Sequence, residues 1–495
     1  MAGGAGGDLV GAMRASTGGL AFARETFGGA ELGDLRRTRA LVAFVAALIR
    51  KPAGKVTEVF TSTAKRERAY KFLENRAVKV TAVISAMARS VAARIVEAEM
   101  AYVVVDGSSL TLADPRGRKD FGQVGNHHKG ARGLKVITAY VVEPSGVPMG
   151  ILGQKFWARL KRMRRGSKGT DNRRRAVQEK ETQHWLDVIR GAAKHADPSK
   201  LWFLVDREGD SREMLLALEM LEVRFTIRSS WNRLLVAGSN GKRRYLRGVM
   251  AKAAVVADYA VDVPAAHNRR ARTAKMRARS ATVRLLLKDR WRSTSSVLEV
   301  NVVWAVEVGT TPACEKPLDW MLLSNAPAGT AEEALAIIRS YQVRWRIEEF
   351  HKAWKSGHCK VENTQLHSMR AASIFATMHA AVAARAERLK YLSREAPEQA
   401  ASTEFTYAER LAIAALAYEE LSEPPAPGGR RQTKLTVPDP NTMTMEVAAF
   451  WLARFGGYTG KSSGGPPGGI TIGRGLADVL VAARAIIAAG LLKQG

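Results

Sequence analysis

The hydrophobic period of the chain changes near residue 101, and this change limits the possible folds more than any other feature. From Glu31 to about Glu97, apolar residues recur every three to four positions with Arg and Lys between them, as in amphipathic helices. From Ala101 onward, β-branched runs such as AYVVVD, LKVITAYVVE and VPMGILGQKFW are separated by Gly and Pro, as in adjacent strands. The sequence therefore predicts a basic helical domain followed by a sheet.

Helix and strand patterns alternate after these first strands. A helix over EKETQHWLDVIRGAA, a strand over LWFLVD, a helix over SREMLLALEML and a strand over RFTIRSS follow in that order. An antiparallel start that passes into alternating β and α elements predicts an α/β domain, and this order suits a ribonuclease-H-like core. Further strand patterns at about 231–319 predict a β-strand insertion, and helical patterns resume from about Met369.

These patterns divide the chain into four segments. Residues 1–20 are rich in Gly and Ala and are expected to be flexible. A helical domain occupies 21–97, and the α/β domain with its β insertion occupies 98–368. A helical region completes the chain over 369–495, with Ala-rich runs such as MHAAVAARAERL whose apolar content exceeds what a catalytic core needs to cover.

The charge of the chain points to a polyanionic partner. Its 495 residues include 77 Lys and Arg against 47 Asp and Glu, a formal net charge of +30. Nucleic acid is the first expectation and an anionic membrane surface the second. Two segments dense in Arg and Lys, 159–175 and 267–280, suit either a solvated loop or a DNA contact, and the total charge favours DNA.

Other features exclude several classes of protein. No apolar run is long enough to span a membrane, and the first residues lack a basic and then apolar leader, so a cytoplasmic protein is expected. Cys314 and Cys359 are too few and too far apart for a disulfide framework or a zinc site, and both are expected to be free thiols. The pair His127 and His128 has no partnering motif and is interpreted as part of a polar loop.

Two carboxylates come at the ends of predicted buried strands. Asp106 ends AYVVVD and Asp206 ends LWFLVD. A carboxylate there projects into the crevice beyond the sheet. Each Asp alone is equally compatible with a turn or a helix cap.

The predicted helix that begins near Thr330 carries a second set of polar residues. Tyr341, Arg344, Glu348 and Lys355 are offset by three, seven and fourteen positions, so they share one face of a continuous helix, opposite an apolar stripe. An ordinary surface helix with an ion pair between Arg344 and Glu348 would explain the charges but not the tyrosine.

Three carboxylates from separate elements are the ligands that a two-metal site for phosphodiester chemistry requires. Hard oxygen ligands hold two Mg²⁺ or Mn²⁺ ions per active site, roughly 3.5–4 Å apart, and cationic neighbours grip the phosphates. The sequence therefore predicts Mg²⁺ or Mn²⁺ as the cofactor.

The motif Y-x2-R-x3-E-x6-K, with the surrounding WRIEEFHKAWK, resembles the signature of DDE transposases of the bacterial insertion-sequence-four type, and of the Tn-five transposase among them. Similar runs are ELGDLRRTRALV, AYKFLEN, VDRE, FTIRS and PLDW, and the resemblance covers about residues 20–490. Gly107-Ser108-Ser109 after the first Asp and the basic segment 159–175 depart from the pattern.

The resemblance implies a role for each matching residue. Asp106, Asp206 and Glu348 correspond to the catalytic, metal-binding triad. The remaining matches correspond to DNA contacts: Tyr341, Arg344 and Lys355 at the phosphate and flanking nucleotides, Trp320 as the aromatic residue that stacks a flipped base, and Arg228 near the cut. It also implies a DNA-end-binding role for 21–97, support of hairpin formation by the β insertion, and dimerisation through 369–495.

The implied activity is cut-and-paste transposition: nicking at transposon ends, hairpin formation and opening, and strand transfer into a target. The implied partners are double-stranded DNA, both transposon-end inverted repeats and target DNA, and a second copy of the chain in the DNA complex. Two alternatives remain open, an immobile metal-dependent nuclease on the same fold and a non-catalytic DNA-binding inhibitor of transposition. The triad argues only against the inhibitor, and inverted repeats flanking the coding region would distinguish a transposase from a nuclease.

Overall fold

The protein is a mixed α/β structure with a helical N-terminal region and one mixed sheet. The computed structural model describes residues 18–125, 130–159, 181–238, 241–263, 265, 269–289, 293–312, 315–422, 435–460 and 465–491. The predicted change from helices to strands near residue 101 is confirmed. His127, His128, Cys314 and all but the first residue of the basic segment 159–175 lie outside the described residues.

Among the described residues, five helices precede the sheet. They are α1 Gly18–Phe27, α2 Leu35–Arg50, α3 Val56–Val59, α4 Thr63–Glu74 and α5 Val80–Val96. Asp34 begins α2 as its N-cap, since its carboxylate accepts a hydrogen bond from the Arg36 amide at 2.8 Å. The buried face of α2 is lined by Leu41, Val45, Leu48 and Ile49, at the three- and four-residue spacing of an amphipathic helix.

The first part of the sheet joins three antiparallel strands to two parallel ones. Strands β1 Ala101–Thr111, β3 Arg132–Val142 and β4 Pro148–Trp157 pair antiparallel in the order β1-β3-β4, and the short β2 Gly122–Gln123 also pairs with β3. On the other side of β1 lie β5 Leu201–Val205 and β6 Arg224–Arg228, both parallel to it. Helices α6 Glu181–Ala193 and α7 Arg212–Met220 precede β5 and β6.

The strands of the 231–319 region extend this same sheet. They are β7 Leu234–Leu235, β8 Arg244–Tyr245, β9 Val255–Val263, β10 Arg272–Lys288 and β11 Ser295–Glu307, with the short helix α8 Leu246–Met250. The next strand, β12 Asp319–Ser324, pairs antiparallel with both β6 and β11. A continuous path of hydrogen-bonded strands therefore runs from β2 to β8 in the order β2-β3-β1-β5-β6-β12-β11-β10-β7-β8.

The interpretation of 267–280 as a possible loop is wrong for its larger part. Residues from Arg272 onward belong to β10, where Ala274, Met276 and Ala278 are buried. Small apolar residues thus alternate with Lys and Arg at the two-residue period of a strand, a pattern that the high density of charge obscured.

In the described part of the chain after the sheet there are six helices. They are α9 Ala331–Val343, α10 Arg346–Lys355, α11 Met369–Glu395, α12 Tyr407–Ser422, α13 Met445–Phe455 and α14 Gly469–Ala488. The continuous helix predicted from Thr330 is wrong in one respect, because it is interrupted between α9 and α10. The amides of Arg344 and Trp345 donate to carbonyls three residues back, at 3.1 and 3.2 Å, so the chain makes a tight 3-10 turn there.

The Ala-rich run of α11 is buried within one protomer. Every residue from Met378 to Ala386 is buried, and α11 packs against β4, α10, α13 and α14. Small side chains suit a helix that is enclosed on all sides. The apolar content of this run is therefore explained by packing inside the protein, contrary to the expectation that it exceeds what the core needs.

Two remaining expectations concern membranes and thiols. In the described parts of the chain, no helix combines the length and the apolar character that crossing a membrane would require. Cys359 is a buried free thiol.

Two tryptophans of one segment give a test of this packing. Trp354 is completely buried, its ring stacks on Phe350, and its indole N–H donates to the Ala376 carbonyl at 2.9 Å. Replacing Trp354 by Ala is expected to lower the free energy of unfolding by ~3–5 kcal/mol, because it leaves a cavity and removes the hydrogen bond to the Ala376 carbonyl. Trp345 is 49% exposed, so Trp345→Ala is expected to change it by less than about 1 kcal/mol. Thermal and denaturant unfolding of both variants measures the difference, and equal losses would contradict this packing.

Candidate active site

The register of two parallel strands brings Asp106 and Asp206 together. Val105 of β1 pairs with Val205 of β5, so an aspartate follows directly on each strand. The sequence predicts that Asp106 ends its strand, and this is wrong. Strand β1 continues to Thr111 through its pairing with β3. The predicted strand end is instead the point where the parallel pairing with β5 stops.

Both aspartates face the helices α9 and α10. Side chains alternate between the faces of a strand, so Asp106 lies on the same face as Val104, and Asp206 on the same face as Leu204. Val104 and Leu204 belong to the hydrophobic core that also includes residues of α9 and α10. The alternation therefore directs both carboxylates toward the segment that carries Glu348.

The guanidinium of Arg344 interacts with the carboxylates of all three elements. Its Nη2 lies 3.0 Å from Glu348 Oε1 and 3.8 Å from Asp206 Oδ2, and its side chain is only 9% exposed. Burial opposes the charge, but Tyr341, Asp206, Asp106 and Glu348 together raise the pKa of Arg344. Arg344 is thus a permanent cation shared among three anionic groups.

Tyr341 connects this cluster to Arg228. The tyrosine hydroxyl donates to Asp206 Oδ1 at 2.9 Å, and Arg228 Nη1 lies 3.5 Å from the same hydroxyl. Burial and the neighbouring Asp206 raise the pKa of Tyr341 to about 12, so the hydroxyl keeps its proton at neutral pH. Arg228 is held in place by a second bond, from its Nη2 to the Asp319 carbonyl at 2.9 Å.

Trp320 and Lys355 lie on two sides of the cluster. The half-buried Trp320 packs edge-to-face on Tyr341, with ring centroids 5.9 Å apart. Lys355 Nζ lies 3.5 Å from Ser108 Oγ and 3.8 Å from Glu362 Oε1. Ser108 is two residues beyond Asp106, so Lys355 is placed further along the same face of β1. All eight residues predicted from the sequence therefore lie in one connected region.

The two aspartates differ in their electrostatic environment. Burial raises the pKa of Asp106 from 3.8 to about 7, and the charges of Asp206 and Glu208 add to this, against the opposing effects of Arg344 and the Gly107 amide. Burial also disfavours the charge of Asp206, but Arg344, the Arg207 amide and Tyr341 lower its pKa overall. Asp106 is therefore the carboxylate with the least compensated charge.

The carboxylates suit a hard divalent cation in chemical type but are not arranged around one. Asp106, Asp206 and Glu348 offer oxygen ligands only, the kind that Mg²⁺ and Mn²⁺ prefer. However, no group of three His, Cys, Asp or Glu side chains within the described residues is close enough to hold a metal ion. Arg344 already bridges two of the three carboxylates.

Glu208 is an acidic residue beside Asp106 that the sequence analysis missed. It contributes to the raised pKa of Asp106, and its Oε2 lies 3.7 Å from where a Cβ on Gly107 would stand. Its position two residues after Asp206 in VDRE was visible in the sequence. What the sequence did not show is the turn that directs it back toward β1.

One family model matches the N-terminal helices. The family model described as transposase DNA-binding matches residues 20–78, a range that includes nearly all of α1 and the whole of α2 to α4. This match supports a transposase that acts on DNA, in agreement with the positive net charge of the chain.

Different pH dependences are expected for variants of the two aspartates in metal-free buffer. Because the pKa of Asp106 is raised on folding, its charge lowers the free energy of unfolding as the pH rises from about 4 through about 7. The change in the free energy of unfolding caused by Asp106→Asn is therefore expected to be more favourable at pH 8 than at pH 4, by at most ~4 kcal/mol. Because the pKa of Asp206 is lowered below 3.8, the stability that its charge contributes is nearly complete at pH 4 and is lost only at lower pH, so Asp206→Asn is expected to destabilise the protein about equally at pH 4, 6 and 8.

Denaturant unfolding with EDTA at pH 4, 6 and 8 measures these effects. Parallel pH profiles for the two variants would contradict the assignment.

Proposed function

We propose that this protein is a cut-and-paste DNA transposase of the DDE type, with Asp106, Asp206 and Glu348 as its catalytic carboxylates. The observation that carries the proposal is the alignment of Asp106 with Asp206 across parallel strands, with Glu348 joined to Asp206 through Arg344. The transposase DNA-binding match at residues 20–78 supports the class independently of this site.

We further propose a ribonuclease-H-like core of the insertion-sequence-four type, related to that of the Tn-five transposase. The strand order β4-β3-β1-β5-β6, with the first three antiparallel and the last two parallel to β1, supports this core. The Y-x2-R-x3-E-x6-K residues support the type, because Tyr341 and Arg344 both contact Asp206. The β-strands of the insertion would support hairpin formation.

In this proposal Asp106, Asp206 and Glu348 hold two Mg²⁺ or Mn²⁺ ions, which would activate the attacking oxygen and stabilise the leaving one. The three carboxylates can approach one another around these ions only if the guanidinium of Arg344 moves away from Asp206 and Glu348. A DNA phosphate is an alternative partner for that guanidinium, because Arg binds phosphate oxygens in the same bidentate manner as carboxylates. Arg344 would thus exchange carboxylate partners for phosphate when DNA binds.

The other residues of the cluster position the DNA strand. Tyr341 remains protonated and donates its hydroxyl hydrogen, to Asp206 in the free protein and to a phosphate oxygen in the complex. Arg228 and Lys355 add positive charge on two sides of the carboxylates, and Trp320 is proposed to stack a base displaced from the duplex. Residues 21–97 would recognise the transposon ends, and 369–495 would bring two protomers together on paired ends.

Removal of a single carboxylate is the direct test of this function. Asp106→Asn, Asp206→Asn and Glu348→Gln are each expected to lower Mg²⁺-dependent cleavage at least ~1000-fold, because each removes a metal ligand. Binding to DNA that carries the inverted repeats flanking the coding region is expected to change less than about 3-fold. Cleavage assays and gel shifts on the same DNA measure the two effects.

Glu349→Gln is the matched control. Glu349 follows Glu348, but its carboxylate binds Tyr391 and Lys390 of α11, the latter at 3.2 Å, and so faces away from the aspartates. This variant is expected to lose some thermal stability and to keep cleavage. Cleavage that survives Glu348→Gln but not Glu349→Gln would contradict the assignment.

A further inference from the structure

Two exposed aromatic side chains lie in the region that follows β6. Trp231 is 60% exposed and Tyr245 is 45% exposed, although neither belongs to the residues proposed for catalysis. The Leu246 amide donates to the Arg233 carbonyl at 2.9 Å, and the Arg247 amide donates to Asn232 Oδ1 at 2.9 Å. The chain around Tyr245 therefore lies directly beside the chain that follows Trp231.

A buried ion pair holds the turn that presents Trp231. The Asp210 carboxylate is fully buried and binds the guanidinium of Arg233. It also accepts hydrogen bonds from the Ser230 amide at 2.6 Å and the Ser229 hydroxyl at 3.2 Å. Removal of either partner would leave a buried charge unpaired, so the pair holds this turn in one conformation. The conformation fixed here keeps an indole in solvent.

This turn adjoins the candidate active site. The Ser230 hydroxyl donates to the Arg207 carbonyl at 2.8 Å, and Arg207 is the residue after Asp206. On the other side, the turn follows Arg228, whose guanidinium approaches Tyr341. The turn that carries Trp231 is therefore joined by hydrogen bonds to the segment that follows Asp206.

The segment of the chain that carries the two aromatic residues is basic. Residues 229–252 include six Lys and Arg and no Asp or Glu. Arg207, Arg243 and Arg244 are exposed. We define Trp231, Tyr245 and these three arginines as the aromatic-basic surface.

We propose that the aromatic-basic surface binds unpaired nucleotides of the DNA strand next to the cut, with bases stacked on Trp231 and Tyr245 and phosphates bound by the arginines. Aromatic faces among positive charges are the features by which proteins bind single-stranded nucleic acid without reading its sequence. Positive charge alone would also suit an acidic peptide. The combination with exposed aromatic rings favours DNA, because only a nucleic acid offers both bases that stack and regularly spaced phosphates. The inference rests on the proposed action on DNA, but it requires no catalysis.

Binding in EDTA tests the surface without any cleavage. Trp231→Ala is expected to weaken binding of fluorescent single-stranded oligo-thymidine roughly 5- to 100-fold in anisotropy titrations, through loss of stacking. Binding of a random-sequence duplex is expected to change less than about 2-fold, because phosphate contacts dominate there. Trp231→Phe is expected to restore most of the single-strand affinity, and Tyr245→Ala to weaken it as Trp231→Ala does.

Tyr418→Ala is the matched control, since Tyr418 is 66% exposed on α12 and should leave both affinities unchanged. Oligo-thymidine with 5-iodouracil in place of one base is expected to crosslink to Trp231 under ultraviolet light. Single-strand affinity unchanged by Trp231→Ala, an equal loss on the duplex, or the same loss from Tyr418→Ala would each overturn the proposal. Because these measurements exclude metal, failure here with normal cleavage by the wild type would leave the proposed transposase activity intact.

Discussion

The parallel pairing of β1 with β5 is the constraint on which the candidate site depends. It aligns Val105 with Val205, and the following residue on each strand is an aspartate on the face that α9 and α10 cover. A shift of one residue in either strand would turn its aspartate to the opposite face of the sheet. That face is covered by a separate hydrophobic core, which includes Val105 and Val205. The register is therefore enforced by apolar packing on both faces of the sheet, and the polar site depends on it.

The electrostatics of the site follow from the partial burial of Asp106 and Asp206 next to Arg344. Arg344 compensates part of the negative charge of these carboxylates and stays positively charged itself. Asp106 is the carboxylate whose charge is least compensated. An arrangement of this kind favours any ligand that brings positive charge to Asp106 and negative charge to Arg344. A divalent cation supplies the positive charge beside Asp106, and a DNA phosphate supplies the negative charge beside Arg344. Neither ligand alone supplies both.

The sequence predicted the members of the site better than their geometry. Asp106 and Asp206 were identified from strand patterns, and the residues from Tyr341 to Lys355 from helical spacing and a family signature, because both signals are local. The break at Arg344, the continuation of β1 beyond Asp106 and the return of Glu208 toward β1 depend on contacts between distant segments, which no local period reports. The same limit explains why the buried alanines of α11 were interpreted as surplus apolar surface, and why Trp231 was overlooked.

The central claim is that Asp106, Asp206 and Glu348 bind metal ions once Arg344 has turned toward a DNA phosphate. The anomalous scattering of Mn²⁺ in crystals of the protein bound to transposon-end DNA measures this directly. We expect Mn²⁺ peaks within ligand distance of all three carboxylates, with the Arg344 guanidinium on a phosphate oxygen. Peaks elsewhere, or Asp206 and Glu348 still bridged by Arg344 in the presence of DNA and saturating Mn²⁺, would contradict it.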